Sequence, residues 1–335
     1  MAITQYRDAR GVGYTGWVKI AKSEVEGDYM ALPVTACSLE KTPGKIIPDN
    51  LIHGSSSDEA ASQVVWAWGA NAYGGDISTL FFKKMLEANF WDWLINKRTL
   101  GRTVIASPDN YNVWKYKNCY VSEFTISGNV PTGAGGTPIE VRFSVVATGR
   151  EKLSGDFYLP TASEYEGFIT NPDHLGDAPI PGWRSNVYYA GFKAPTGSSD
   201  PNIYPTAWSI TVRNNPTTLY VANGERDPKW VKQGIMTVTG TVTLYHPDGV
   251  PLPEDSVIES YNKNGALTIT IYGEGTTPAS DPETSENLTT ALKITIPYIV
   301  ITRYAQPFAA PAAPVVRTVD FTGLGSATEK AIKFE

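Results

Sequence analysis

The stretch MTVTGTVTLY, residues 236–245, places a threonine at every second position. Because successive side chains of a β-strand point to opposite faces, the threonines share one face and the apolar residues share the other. The hydroxyl-bearing face carries Thr237, Thr239, Thr241 and Thr243, and the apolar face carries Met236, Val238, Val242 and Leu244. The stretch predicts a strand whose apolar face packs on a core, and it raises the question of what the uncharged polar face meets.

Composition places the chain among globular proteins. Of its 335 residues, 41% are hydrophobic and 19% are charged, and the net charge is −6. The sequence has no stripe of basic residues, which argues against tight nucleic-acid binding. No apolar run approaches the ~20 residues of a membrane helix, and the beginning, MAITQYRDARGVG, lacks the apolar core of a secretory signal. We therefore expect no membrane association.

The residue types that catalysis needs form no recognisable motif. Cys37 and Cys119 lack the spacing of a metal site, and we interpret both as small buried side chains in strands. The three histidines are scattered, and there is no G-x-S-x-G, H-E-x-x-H, P-loop or C-x-x-C motif. We expect no catalytic, cofactor-binding or metal-binding residues and no enzymatic activity.

The chain repeats itself once. TACSL (35–39) matches TAWSI (206–210), and Gly69 matches Gly240, both at an offset of 171. Further along, TPIEVRFSVVATG (137–149) matches APVVRTVDFTG (313–323), with Pro138 against Pro314. Matches that keep their order along the chain indicate a duplicated domain.

Each copy has the same predicted order: two strands, a long loop, the alternating strand, one helix and three closing strands. In the first copy, Asp76 or Ser78 is expected to cap the helix. The apolar stripe of that helix consists of Phe82, Leu86, Phe90 and Leu94. In the second copy, residues 253–265 predict a shorter helix.

The segment between the copies has the composition of a linker. Residues 154–181 contain five acidic residues and no lysine or arginine, with several prolines and glycines. We predict a first domain at 1–153, an acidic linker at 154–181 and a second domain at 182–335. The predicted fold class is mainly β with one helix per repeat, arranged as two tandem β-sandwich or barrel domains.

Two long loops, 42–62 and 213–233, occupy equivalent places in the copies. Loops of this length in compact domains tend to be functional, although simple insertions remain an alternative. Their apolar residues are numerous for free loops, which favours arms that order on assembly. The apolar residues are Ile46, Ile47, Leu51, Leu219, Tyr220, Val221 and Trp230.

The second copy resembles the tail tube proteins of tailed bacteriophages, in particular the class with a duplicated tube domain. The resemblance rests on WSITVRNNPTTLYVANGERDPKWVKQGIMTVTGTVTLY (208–245), ALTITIYG (266–273), ALKITIPYIVIT (291–302) and VVRTVDFTG (315–323). Its long loop carries Arg226, Asp227 and Pro228 before the alternating strand. The first copy departs from this pattern, because SSSDEAAS stands where the second has GERDPKWVKQ.

The resemblance implies a structural virion protein. Tube domains of this family form rings of six whose sheets join into one barrel around a lumen, so a duplicated chain would form the ring from three subunits. Rings stack into the tube that conducts DNA. The implied partners are other copies of the chain, with tail tip, tape measure and terminator proteins, and the implied location is the phage tail, assembled in the host cytoplasm. The long loops, with Arg226 and Asp227, would contact neighbouring subunits or rings.

Within this interpretation the threonine face of residues 237–243 lines the lumen. DNA must pass without specific binding, and each lysine or arginine that contacts phosphate adds affinity. Hydroxyl groups interact with water without holding DNA. In the first copy the corresponding face is expected to carry Trp66, Trp68, Ala70 and Ala72.

Two alternatives remain open. A tail-end adaptor built on the same domain would form a single ring and stop. A glycan-binding module would use the nine tryptophans and 18 tyrosines as stacking platforms. Elongation with concentration favours the tube, a single stable ring favours the adaptor, and glycan-dependent fluorescence quenching of a monomer favours the binding module.

Overall fold

The computed structural model describes residues 16–23, 27–46, 67–82, 85, 90–96, 99–109, 112–130, 137–154, 160, 179–189, 204–246, 266–274, 288–305, 315–325 and 329–335. Within these ranges the protein is mainly β, as predicted, with large antiparallel sheets. The second predicted helix, residues 253–265, lies outside the described residues.

The first half of the chain contributes β1 (Trp17–Ala21), β2 (Tyr29–Leu32), β3 (Val34–Cys37), β4 (Glu40–Ile46), β5 (Ala67–Leu80), β6 (Arg102–Ser107), β7 (Val113–Asn129), β8 (Glu140–Ala147) and β9 (Gly149–Leu153). Between β5 and β6, Met85, Phe90 and Trp91 are helical, and Trp91 is followed directly by a π-helical turn at Asp92–Asn96.

The second half opens with a 3₁₀ turn, Gly182–Arg184. Its strands are β10 (Ser185–Tyr188), β11 (Tyr204–Arg213), β12 (Thr217–Leu219), β13 (Trp230–Lys232), β14 (Thr237–His246), β15 (Leu267–Glu274), β16 (Leu288–Ile296), β17 (Tyr298–Ala305), β18 (Val315–Leu324) and β19 (Lys333–Phe334).

One antiparallel wall runs through both halves. Its strand order is β17, β18, β14, β11, β7, β8 and β5, and β3 and β4 pair with the far side of β5. The halves meet where the carboxyl-terminal part of β7 pairs with β11, from Glu123 opposite Arg213 to Asn129 opposite Ala207. A continuous backbone hydrogen-bond network therefore joins the two halves.

A second layer packs against the apolar side of the wall in each half. In the first half it consists of β2, β1, β6, the amino-terminal part of β7 and β9, and in the second half of β10, β15, β16 and β19. The 17 residues of β7 belong to both layers without interruption. The corresponding strand of the second half is divided into β16 and β17 at Pro297, whose missing N–H breaks the ladder.

The core between the layers is one contiguous cluster of buried side chains from both halves. Phe90 and Leu94 of the predicted helical stripe are buried in it, whereas Leu86 lies outside the described residues. Trp91 stacks on Phe334 of β19, with ring centroids 5.0 Å apart. The carboxyl-terminal strand of the second half thus packs on the helical segment of the first.

The strand pairing repeats between the halves. β5 lies between β3–β4 and β8, just as β14 lies between β11 and β18. The register shifts between Val34 and Ala36 in the first half and at the equivalent step, between Pro205 and Ala207, in the second. These registers agree with the alignment of TACSL with TAWSI, and also with the alignment of Pro138 with Pro314.

The predicted match of Gly69 with Gly240 is wrong. Ala36 lies opposite Ser78, and its counterpart Ala207 lies opposite Thr243. Gly75, three positions before Ser78, therefore corresponds to Gly240. The two paired positions are 42 residues apart in the first half and 36 in the second, so the connection between the strands differs in length and one offset cannot hold throughout.

Asp76 and Ser78 do not cap the helix, because both lie within β5, which continues to Leu80. The Asp76 carboxylate accepts hydrogen bonds across the sheet from Ser144 and Arg142 of β8. These polar residues belong to a strand face. The expectation of two buried cysteines is also only half right, since Cys119 is buried and Cys37, on β3, is exposed.

Candidate functional site

The β14 strand separates its side chains as its sequence alternation predicts. Val238, Val242 and Leu244 are buried, whereas Thr237 and Thr239 are exposed and the other two threonines are half-buried. Gly240 falls on the buried face because a Cβ atom there would lie 2.3 Å from the ring of Phe321. The hydroxyl groups therefore face away from the core.

Polar side chains continue this face on both neighbouring strands. Side chains directly opposite each other in an antiparallel pair lie on the same face. On β11, Thr211 lies opposite Thr239 and Ser209 lies opposite Thr241. On β18, the side chains that share the face are Thr318, Asp320 and Thr322. Thr241 donates a hydrogen bond of 2.8 Å to Asp320.

The same face crosses from the second half into the first. The Oγ1 atoms of Thr125 and Thr211 are 2.9 Å apart across the β7–β11 pair. Two positions along, Arg213 Nε donates to Glu123 at 2.6 Å. The β7–β11 junction is therefore bonded through side chains as well as through the backbone.

In the first half the face is carried by β8 and β5. Ser144 lies opposite Asp76, and Arg142 lies opposite Ser78. The hydrogen bond from Ser144, followed by that from Arg142, lowers the pKa of Asp76 below its ordinary value. This carboxylate is therefore ionised at neutral pH and bound by its neighbours.

The expected counterparts of the threonine face in the first half are wrong. The registers place Ala72, Gly74, Asp76 and Ser78 at the positions that correspond to Thr237, Thr239, Thr241 and Thr243. Trp68 lies further along β5, and Trp66 lies outside the described residues. The corresponding positions of the first half therefore carry small residues, two of them polar, where the sequence alignment predicted two tryptophans.

The arginines of this wall face stand next to carboxylates. Besides the Arg213–Glu123 pair, Arg142 lies 2.5 Å from Asp76, and Arg303 of β17 lies opposite Asp320 of β18. The two ion pairs are partly exposed, so screening by solvent keeps their contribution to stability small. Their more important effect is to offset the arginine charges locally. We call this surface, formed by the outward side chains of β5, β8, β7, β11, β14, β18 and β17, the polar wall face.

The second long loop is ordered and contacts the first half of the same chain. β12 and β13 pair as a two-stranded ribbon. From the connection between β12 and β13, Tyr220 Oη donates to the Asn71 carbonyl at 2.8 Å, and Arg226 Nε donates to the Gly69 carbonyl at 2.8 Å. The Arg226 carbonyl accepts a hydrogen bond from the Asn71 amide at 2.8 Å. We call Tyr220, Arg226 and Asp227 the clasp.

Asp227 is the charged centre of the clasp. Its Oδ1 atom accepts hydrogen bonds from Asn71 Nδ2 at 2.6 Å and from Tyr73 Oη at 2.5 Å. Desolvation opposes ionisation of Asp227, but the hydrogen bonds from Tyr73 and Asn71 outweigh it and lower the pKa. Desolvation, followed by the bond to Asp227, raises the pKa of Tyr73 to about 12. The two groups favour an ionised carboxylate beside a neutral phenol.

The clasp residues had been predicted to contact other subunits or rings, and their contacts here join the two halves of one chain. The ribbon also presents apolar side chains to solvent: Leu219 and Tyr220 are each 41% exposed, Trp230 is 56% exposed and nearby Ile235 is 82% exposed. Val221 is half-buried. Ile46 ends β4, so residues 42–46 of the first predicted loop form a strand. Ile47 and Leu51 lie outside the described residues.

Sequence reasoning missed the residue that anchors the start of the second loop. Asn214 is fully buried, and its side-chain amide donates to the carbonyls of Leu94 and Val121. Its backbone amide donates to the Ser122 carbonyl at 2.7 Å. The sequence Asn-Asn-Pro is typical of a turn. The neighbouring residues give no indication that its hydrogen-bond partners lie about a hundred positions away.

A groove of about 360 Å³ lies on the polar wall face at the β7–β11 junction. Ser127, Gly128, Trp208 and Thr241 contribute to its lining. Trp208 is buried, and its Nε1 donates to Ser185 at 2.7 Å. A Cβ atom on Gly128 would lie 2.7 Å from the same nitrogen, so the glycine allows the indole to cross the junction.

The chain matches no protein-family model, and no curated protein is similar to it in sequence. Among the described residues, no group of three or more His, Cys, Asp or Glu side chains could hold a metal ion. None of the described helices is both long and apolar enough to cross a membrane.

Proposed function

We propose that this protein is a structural subunit of a bacteriophage tail tube, or of the tube of a related injection device. Three chains, each with two tube domains, would form a pseudo-sixfold ring, and the rings would stack into a channel for DNA. The observation that carries the proposal is the β7–β11 pair, which joins two similarly ordered sheets edge to edge.

The strand order supports ring closure. Each half contributes a four-position sheet, β3–β4, β5, β8, β7 in the first and β11, β14, β18, β17 in the second. The last strand of the first sheet pairs with the first strand of the second. Among the described strands, β3–β4 pair on one side with β5 alone, and β17 pairs with β18 alone. Repeating the same junction between chains would leave no open edge, which removes a site of uncontrolled aggregation.

The chemistry of the polar wall face supports its role as the lumen lining. Thr237, Thr239, Thr241 and Thr243 offer hydroxyl groups to the solvent side, and the arginines of the face stand beside carboxylates. Phosphate binding by proteins depends on free cationic groups and on counterion release. A face of hydroxyls and locally offset charges would allow DNA to pass without strong binding.

The clasp supports contact between adjacent domains. Arg226 and Asp227 reach from one half onto the β5 strand of the other. In a closed ring every domain has such a neighbour, so the loop of the first half would meet the next chain, with contacts of a different chemistry. The exposed apolar side chains of Leu219, Trp230 and Ile235 would be buried by the next ring.

This assignment places the protein in the virion, with assembly in the host cytoplasm. Its expected partners are further copies of itself, a tail tip that starts the tube, a tape measure protein inside it and a terminator at its end. Open stacking of rings along an axis produces a filament. No catalytic group is needed for this function.

Electron microscopy of the purified full chain tests the proposal. Hollow stacked rings with three subunits and six similar lobes are the expected result. A single ring that does not elongate would support the adaptor instead. Dispersed monomers at high concentration, even after addition of tail tips, would overturn the tube assignment.

A further inference from the structure

We propose that β3–β4 of one chain pairs with β17 of the next in the register of the β7–β11 junction, which sets Thr42 opposite Arg303 and Glu40 opposite Ala305. This inference rests on the proposed function, because it specifies the contact that closes the ring. The partner is a second copy of this chain. The register follows from matching each outer strand of the described wall with its counterpart at the β7–β11 junction.

β17, which among the described strands pairs only with β18, corresponds to the carboxyl-terminal part of β7. Glu123 lies opposite Ser144 of β8, and Arg303 lies opposite Asp320 of β18, the counterpart of Ser144. The ladder shifts between Val121 and Glu123 in one strand and between Ile301 and Arg303 in the other. Because both ladders shift at the same step, the alignment of β17 with β7 is defined to a single residue. Arg303 therefore corresponds to Glu123, and Ala305 corresponds to Thr125.

β3–β4, which among the described strands pairs only with β5, corresponds to β11. Thr211 lies opposite Thr239, and Glu40 lies opposite Gly74, the counterpart of Thr239. Thr42 lies opposite Ala72, as Arg213 lies opposite Thr237. Glu40 therefore corresponds to Thr211, and Thr42 corresponds to Arg213.

The register of the β7–β11 pair then gives the pairs between chains. Arg213 lies opposite Glu123 and Thr211 opposite Thr125, so their counterparts set Thr42 opposite Arg303 and Glu40 opposite Ala305.

Charge complementarity supports this register. Inside the chain, the acid of the junction is on β7 and the base is on β11, as Glu123 and Arg213. Between chains, the basic residue would be Arg303 of β17 and the acidic residue would be Glu40 of β4. The two residues would be diagonal neighbours on one face, within reach of a long arginine side chain. Both are exposed in the single chain.

The exposure of the edge itself agrees with an unpaired interface. Trp208 and Val212 of β11 are buried at the internal junction. The residues at the corresponding positions of the free edge, Cys37 and Lys41, are exposed. The inward side of β3–β4 thus lacks the cover that the internal junction provides, and a second copy would supply it.

Paired cysteines test the register directly. The test variant is full-length chain with Glu40→Cys and Ala305→Cys in a Cys37→Ser background, oxidised at assembling concentration. Side chains at the internal counterparts Thr125 and Thr211 touch, a separation that a disulfide can span. We expect covalent dimers and closed trimers on a non-reducing gel, with less than a tenth of that yield from Lys41→Cys with Ala305→Cys, whose side chains would lie on opposite faces.

A positive control separates failure of the register from failure of folding. Thr125→Cys with Thr211→Cys, in the same background, should form an intrachain disulfide at any concentration. A charge exchange gives a second measurement: Glu40→Arg or Arg303→Glu alone should weaken association about fivefold, and the double exchange should restore it.

The outcomes distinguish this inference from the proposed function. If micrographs contain rings but the 40–305 pair does not cross-link while the internal control does, the register is wrong and the tube assignment stands. If the internal control cross-links and no oligomer forms at any concentration, both are wrong. Cross-linked closed trimers together with charge-exchange rescue would establish the register.

Discussion

Tyr73 of β5 donates a hydrogen bond of 2.5 Å to Asp227, a residue 154 positions further along the chain. Asp227 also accepts a hydrogen bond from Asn71 two residues before the tyrosine. One carboxylate therefore attaches the β12–β13 ribbon to the wall of the other half. Because hydrogen bonds to a charged group are among the stronger polar contacts in proteins, we expect changes to this attachment to have measurable effects.

Replacing Asp227 should loosen the clasp. Asp227→Asn removes the charge and presents an amide to two donors, so we expect the free energy of unfolding to fall by about 1–2 kcal/mol, at the low end because the aspartate is exposed. Urea denaturation measures the loss. Glu225→Gln, an exposed change two residues away, is the matched control and should stay within about 0.5 kcal/mol. Equal effects of the two variants would contradict the role of the clasp.

The attachment of the ribbon should depend on pH at both extremes. The pKa of Asp227 is lowered in the folded protein, so its contribution is present above the ordinary aspartate pKa and is lost as pH falls through the lowered value. The pKa of Tyr73 is raised to about 12, so its contribution is present below the ordinary tyrosine pKa and is lost as pH rises toward 12. Limited proteolysis of the ribbon across the pH range measures the window.

Tyr73→Phe isolates the alkaline side of this dependence. Without the phenol, the rise in ribbon cleavage above pH 10 that is due to Tyr73 should disappear, whereas the acidic loss should remain because Asp227 still binds Asn71. An unchanged alkaline profile would show that another group controls ribbon release. Global unfolding is monitored in parallel by circular dichroism.

Gly240 should tolerate no side chain. A Cβ atom there would lie 2.3 Å from Cζ of Phe321 and 2.7 Å from the Ser209 carbonyl oxygen. Gly240→Ala should therefore lower stability by about 1–3 kcal/mol, the range for overpacking a core. Gly149→Ala is the control, because a Cβ atom there meets no heavy atom within 4 Å. The midpoint of thermal unfolding is measured for both variants, and equal shifts of the two midpoints would contradict the expectation.

Changing the polar wall face should alter DNA passage without altering the fold. Thr239 is exposed, so Thr239→Lys should change the free energy of unfolding by no more than about 0.5 kcal/mol. Assembled tubes of this variant should retain DNA with a steep dependence on salt concentration. Thr239→Gln, which adds length but no charge, should behave like the unchanged protein. DNA retention that is the same for all three would remove the lumen assignment.

Local features of the fold could be predicted from the sequence because they depend on periodicity. The burial of Val238, Val242 and Leu244 against exposed Thr237 and Thr239 follows from alternation alone. The helical stripe was likewise correct at Phe90 and Leu94. The ends of strands were harder to predict. Asp76 and Ser78 are residue types that commonly cap helices, but pairing with β8 extends β5 to Leu80.

Long-range pairing could not be predicted in the same way. A single offset placed Gly69 against Gly240, and only the ladder registers reveal Gly75 as the counterpart. Similarly, Arg226 and Asp227 could be selected from the resemblance, yet their acceptor and donor groups around Asn71 have no distinguishing local signal. Such contacts depend on which edges meet, and hydrophobic patterning specifies faces better than edges.

The undivided β7 has a mechanical consequence. In the first half, shear between the wall and the outer layer must load one covalent strand that passes through both. In the second half, the corresponding strand is divided at Pro297, so the same load passes between two shorter strands. A ring built from alternating halves would therefore alternate between sectors whose two layers share an undivided strand and sectors whose layers are joined by a divided one.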